Sequence, residues 1–193
     1  MLAFLDFEAS SLGKKSYPIE VAWVFEDGTS ESHLIKPAPE WTDWDPAAQA
    51  IHGIERQELE DTGEDHVVVA ARMVEALAGH DLLASAPSWD GKWLSALLRV
   101  GGQPRRVLRL RDSDEAQLEA ARACLSGVEL AAVREALARE VVGAVSQRRN
   151  GRVPDHRALA DAVAERTQWL EVKAEAVRRA GLWTFTVEAT DPA

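Results

Sequence analysis

Leu2-Ala-Phe-Leu-Asp6-Phe-Glu8-Ala-Ser-Ser-Leu-Gly13 leads from four apolar residues straight into two acids spaced two apart. Alternate side chains of a strand share a face, so Asp6 and Glu8 are expected to point the same way. The apolar lead-in predicts a central strand covered on both faces. Two such acids repel each other unless a cation sits between them, and a divalent metal with oxygen ligands is the natural candidate. The alternative is that the pair merely opens a solvated loop. The rest of the chain has to separate these readings.

Downstream, Ile19–Phe25 reads as a second strand, Glu26-Asp-Gly28 as a hairpin turn, and Ser30 to Ile35 as a third strand ended by Pro37 and Pro39. A short helix is expected over Pro46 to Ile51, leading to His52-Gly-Ile54. A clearer helix follows over about 64 to 78, with Val67, Ala70, Ala71, Val74 and Leu77 on one face. Leu82–Ala86 is the fourth strand. The helical crossover before it makes it parallel to the first. Pro87-Ser-Trp-Asp90 opens another helix, and Val107–Arg111 is the fifth strand. Residues 114–147 read as helical with a break at Ser126-Gly127, and Gln147 to Pro154 as a basic loop. Asp155 is expected to cap a last helix running to Ala180 with Gly181 as its stop. The segment 182–187 reads as a terminal strand or an oligomer contact. These elements predict one α/β domain over 1–193, with a mixed five-stranded sheet: an antiparallel meander, then parallel crossover strands, flanked by helices.

At 193 residues with 46% hydrophobic and 28% charged content, the chain can bury a core as a soluble globular protein. No apolar run approaches a membrane helix, and the single Cys124 leaves no internal disulfide or cysteine-based zinc site. A cytoplasmic protein without membrane contact is the expectation. The net charge of -10 argues against holding long nucleic acid by nonspecific electrostatics. It leaves room for an enzyme that takes one strand end into a metal-lined cleft.

In a sheet of this kind, ligands bind at the carboxyl ends of the strands. Asp90, just past strand four, then falls near Asp6 and Glu8; the alternative is an acid placed in a first helical turn by the helix dipole. His156 and Asp161 differ by roughly 140° on an ideal helix. They meet only if His156 precedes the helix or lies in its frayed first turn; otherwise His156 is a surface residue of a solvated helix.

Asp6-Phe-Glu8, Asp90 within Ala86-Pro-Ser-Trp-Asp-Gly-Lys-Trp-Leu94, and His156-x4-Asp161 together resemble the motifs of the DEDDh 3′-5′ exonucleases. That superfamily includes the proofreading subunit of bacterial DNA polymerase III, ribonuclease T and oligoribonuclease. The order, spacing and expected element of each motif agree over most of the chain, and Ala50-Ile-His-Gly-Ile54 is similar to a segment these enzymes often carry. The resemblance implies a ribonuclease H-like fold and a metal-dependent exonuclease that releases nucleoside 5′-monophosphates from single-stranded DNA or RNA 3′ ends. It assigns two Mg2+ or Mn2+ ions to Asp6, Glu8, Asp90 and Asp161. His156 becomes the general base, Glu8 the residue that helps place the attacking water, and Asp6 the bridge between the ions.

The same resemblance lays Phe7, Ala9, Ser10 and Leu12 along the terminal nucleotide. Trp41, Trp44 and Trp89 are candidates for base stacking, with a buried core position the alternative for Trp89. Lys14, Lys15, Arg148, Arg149 and Arg152 are candidates for upstream phosphates, with a solvated, mobile loop the alternative for the three arginines. His52 is read as a structural hydrogen-bonder. Departures from the family pattern bear on substrate choice: Ser85-Ala86 replaces a His-Asn pair, Trp89 and Trp93 replace Phe, and Ala9-Ser-Ser11 replaces Thr-Thr-Gly. Alternatives are an oligoribonuclease-like enzyme for very short RNA and a nuclease-fold module that binds without cutting. Several members of the family are dimers, so a homodimer also stands open.

Overall fold

The computed structural model describes residues 1–151 and 155–188, with side chains through 182. Contacts divide the chain into two compact units, Met1–Asp112 with Pro154–Arg166, and Ser113–Val153 with Thr167–Ala193.

The first unit holds a six-stranded mixed sheet in the order β4-β3-β2-β1-β5-β6. Its strands are β1 (Leu2–Ala9), β2 (Pro18–Phe25), β3 (Ser30–Lys36), β4 (Glu64–Asp65), β5 (Asp81–Ala84) and β6 (Leu110–Asp112). The expected meander is present, with β1 antiparallel to β2 and β2 antiparallel to β3. The crossover places β5 parallel to β1, and β6 parallel to β5. The sixth strand is β4, two residues parallel to the end of β3 and too short to show a period in the sequence.

Helices α1 (Pro46–His52), α2 (Arg56–Thr62), α3 (His66–Leu77) and α4 (Pro87–Val100) complete this unit, apart from the start of α7. Side-chain caps start two of them: Asp45 accepts from Ala47 N–H and Asp65 from Val67 N–H. The crossover helix therefore begins at His66. The helix α2, with Leu59 fully buried, was absent from the sequence reading.

On β1 the odd positions Ala3, Leu5, Phe7 and Ala9 face the main core, joined there by Ile19, Val21 and Trp23 of β2 and by Met73, Leu94 and Leu97 of the helices. Each fully buried aliphatic or aromatic side chain of that core contributes about 1.5–3 kcal/mol. Close packing of α4 on α3 depends on Gly101, where an added Cβ would lie 2.3 Å from the Ala70 Cβ. The even positions of β1 face the opposite way and carry Asp6 and Glu8.

The second unit is helical: α5 (Ser113–Cys124), α6 (Ala131–Arg149) and most of α7 (Ala158–Glu188). Its own core gathers Ala121, Leu125, Val128, Ala138, Val141, Val145, Val172 and Ala176. The strand alternative for 182–187 is corrected, because α7 continues through that segment to Glu188. Gly181 does not stop the helix; one interior glycine costs about 1 kcal/mol relative to alanine, which a 31-residue helix absorbs. Among the described residues, no helix is long and apolar enough to cross a membrane.

Candidate active site

The end of β1 brings the first two acids to one face of the sheet. Asp6 lies opposite Ala22 and Glu8 opposite Glu20 on β2, and the register breaks between Glu8 and Ala9. The parallel neighbour β5 ends at Ala84, two residues before the Ala86 carbonyl that accepts from the Asp90 N–H. Asp90 thus enters in the first turn of α4, 2% exposed.

The third strand of chain is the turn before α7. His156 sits in it with φ +51°, and Asp161 lies one turn into the helix, its N–H donating to the Arg157 carbonyl. This resolves the helix-wheel objection: His156 is not helical, so the bend lets it face Asp161. Ligand atoms of Glu8, His156 and Asp161 lie within 4.8 Å of one another. The left-handed backbone is uncommon for a non-glycine residue and clusters at functional sites.

Electrostatics bind these residues into one group. Burial, followed by Asp90, Glu8, Asp161 and Glu165, pushes the Asp6 carboxyl up to about 9. Burial, with Asp161 and Glu20 next, raises Glu8 to about 7, while Arg157 opposes the rise. Burial raises Asp90 to about 7 against the pull of backbone N–H groups at the start of α4. Burial also raises Asp161, opposed by the backbone N–H of Asp155 and the charge of His156. The Asp90 Oδ2 atom is buried without a hydrogen-bond partner. Buried carboxylates held this way need a cation or a proton. Four hard oxygen donors fit a divalent ion such as Mg2+ or Mn2+, with the His156 imidazole beside them.

The surrounding residues divide sharply. Phe7 is 4% exposed and Ala9 7% exposed, both packed in the main core and not along an open cleft as expected. Ser10 is fully buried and ties the turn together: its N–H donates to the Tyr17 carbonyl and its hydroxyl accepts from the Tyr17 N–H. Leu12, by contrast, is 70% exposed and Trp89 39%. The Trp89 ring lies 5.7 Å from that of Trp93, and the Lys92 ammonium sits 5.1 Å over it. That ammonium also donates to the Gly13 carbonyl and the Ser16 hydroxyl, joining α4 to the turn that carries Leu12.

Trp41 is not available for base stacking as expected, because it is buried in the core and stacked on Tyr17 at 5.1 Å. His52 is a structural hydrogen-bonder, its Nδ1 accepting from the Ile54 N–H at 3.0 Å. Arg149 belongs to the second unit, where Glu171 holds its guanidinium at 3.3 Å. Arg152 lies outside the described residues.

Three residues near the acids escaped the sequence reading. Glu165 stands one helical turn beyond Asp161, a spacing that could have pointed to it. Glu20, 2% exposed, receives the Arg157 guanidinium at 2.7 and 3.1 Å and the Ala158 N–H at 2.9 Å. The cap at the start of α7 therefore comes from Glu20, not from Asp155. No signal in the sequence links Glu20 to Arg157 and Ala158.

No protein-family model matches the chain, and no match is found among curated proteins. Solved structures do match. E. coli exonuclease I in complex with a dA16 oligonucleotide is similar over 96% of this chain and 43% of its own, with 17% identity and a TM-score of 0.65. Another exonuclease I structure gives 18% identity and a TM-score of 0.64 over the same shares. The metal-free form of the E. coli exonuclease I complex with single-stranded DNA is similar over 62% of this chain and 30% of its own, with 20% identity and a TM-score of 0.52. The chain thus spans less than half the length of the exonuclease I chains it matches. It has their fold, a ribonuclease H-like α/β architecture.

Proposed function

We propose that the chain is a metal-dependent 3′-5′ exonuclease that hydrolyses phosphodiester bonds at single-stranded 3′ ends and releases nucleoside 5′-monophosphates. The observation that carries this reading is the gathering of Asp6, Glu8, Asp90, His156 and Asp161 at one end of the sheet, with Asp90 Oδ2 buried and unpartnered. The fold shared with exonuclease I, solved in complex with DNA oligonucleotides, favours DNA over RNA as substrate. The cytoplasm is the proposed compartment.

Asp6, Glu8, Asp90 and Asp161 would hold two divalent ions, Mg2+ or Mn2+. Bound there, the ions supply Lewis-acid stabilisation for the charge that builds on the attacking and leaving oxygens. His156 takes the proton from the attacking water, a task suited to an imidazole near neutral pH. Glu8 helps hold that water against His156. Leu12 and Trp89 offer the exposed apolar surface on which the terminal base can rest.

The deciding measurement is mononucleotide release from the 3′ ends of single-stranded oligonucleotides, followed as stepwise shortening of the 5′-labelled strand. Release with Mn2+ that stops on adding EDTA is the expected result. Intact substrate in Mn2+ and in Mg2+ would sink the reading.

A further inference from the structure

The geometry points to Glu20 and Arg157 as positioning residues that hold His156 in register with Glu8 and Asp161. The inference rests on the exonuclease reading of the site and adds to it two residues that touch neither substrate nor ion.

The turn bearing His156 is strapped on both sides. Before it, the Asp155 N–H donates to Asp161 Oδ1 at 3.3 Å. After it, Arg157 and Ala158 fasten to Glu20. One Glu20 oxygen accepts from Arg157 Nη2 at 2.7 Å; the other accepts from Arg157 Nε at 3.1 Å and from the Ala158 N–H at 2.9 Å. A planar guanidinium bound through two donors fixes direction as well as distance.

Glu20 stands directly across from Glu8 in the β1–β2 ladder, on the same face of the sheet. The strand that carries Glu8 is thereby coupled, through its neighbour, to the residue next to His156. Left-handed backbone at a non-glycine residue persists only where its surroundings over-determine it. The two straps supply that restraint at His156, φ +51°.

Glu20 and Arg157 also balance each other beside the site, since Glu20 raises Glu8 and Arg157 lowers it. Removing either alone changes the local charge; removing the fork geometry alone does not. That distinction sets the choice of variants.

The test uses the full chain with Mn2+ and a single-stranded oligonucleotide, comparing Glu20→Gln, Arg157→Lys and Arg157→Ala with the parent. Displacement of a reacting group by about 1 Å costs on the order of 100-fold in rate. Expected is a fall in kcat of about 10- to 100-fold in all three, with KM and calorimetric Mn2+ binding within about twofold in the charge-conserving Arg157→Lys. Guanidinium chloride at low millimolar concentration should restore part of the Arg157→Ala activity, and equal NaCl should not. Arg157→Lys keeps the charge, so it stays informative if Glu20→Gln does not fold. An active parent with Glu20→Gln and Arg157→Lys both within twofold in kcat overturns the positioning role. So does a loss in Arg157→Lys carried by KM or by Mn2+ binding. An inactive parent instead overturns the exonuclease reading itself.

Discussion

Carboxylates in the two units live under opposite rules. In the second unit Glu175, 8% exposed, accepts from Arg178 and Arg179 and pairs with Arg148. Those hydrogen bonds bring it down to about 2. Glu135 takes Arg122 and Arg139 and is likewise held at about 2. In the first unit Asp6 is driven up to about 9, first by burial and then by the other acids around it. Glu20 shows that the first unit can neutralise a buried acid when it needs to. A buried acid with its arginine is architecture; several buried acids pressed on one another mark a place kept for something positive.

The strongest way to break that contrast is Asp6→Asn, which should remove activity by about 1,000-fold or more while raising the melting temperature of the metal-free protein at pH 8. His156→Ala should cost about 100- to 10,000-fold in kcat with little change in Mn2+ binding. Activity retained in both variants would leave the acids without their proposed role.

Stability against pH probes the same contrast without substrate. Unfolded, the site carboxyls ionise near pH 4. Folded, Glu8 and Asp90 keep their protons to about 7 and Asp6 to about 9. As pH rises between these values the unfolded chain binds fewer protons, so the native state loses stability. The contribution is full below about pH 4 and gone above about pH 9. Metal-free protein should therefore melt lower at pH 8 than at pH 5, and Mn2+ at 100 times its Kd should return about 2.7 kcal/mol. Glu135 and Glu175 run the other way: their contribution is present above about pH 4.5 and lost as pH falls through about 2, outside this window. A melting temperature that is flat from pH 5 to about 8 would contradict the raised site acids.

The smallest effect belongs to Glu175→Gln, expected to cost about 1 kcal/mol because two of its three arginines are more than half exposed. The comparison sharpens in the signs: neutralising Asp6 should stabilise the metal-free chain, and neutralising Glu175 should destabilise it. Thermal melts of the two variants at pH 8 read both.

Much of the site was legible in the sequence because its parts sit where local rules place them. Asp6 and Glu8 close an apolar strand, Asp90 opens a helix after the parallel neighbour, and His156 precedes the helix carrying Asp161. The meander and crossover were legible for the same reason. What was hidden depends on contacts between distant residues. The Glu20–Arg157 clamp spans 137 positions and leaves no periodic trace. Two of the three boundaries between the units carry no linker signature: one falls between Asp112 and Ser113 and one within helix α7. Trp41 and Trp89 look alike in sequence, and only packing decides that one is core and the other exposed.

The unpartnered oxygen of Asp90 has a consequence for how ion binding would be measured. Near pH 7 the site acids hold protons that a divalent ion must displace, so the ion's arrival acidifies the solution. The observed heat of binding then includes the ionisation heat of whatever buffer takes those protons up. Calorimetry in PIPES and in Tris should give different apparent enthalpies for one and the same event. The slope against buffer ionisation enthalpy counts the protons that the ion displaces.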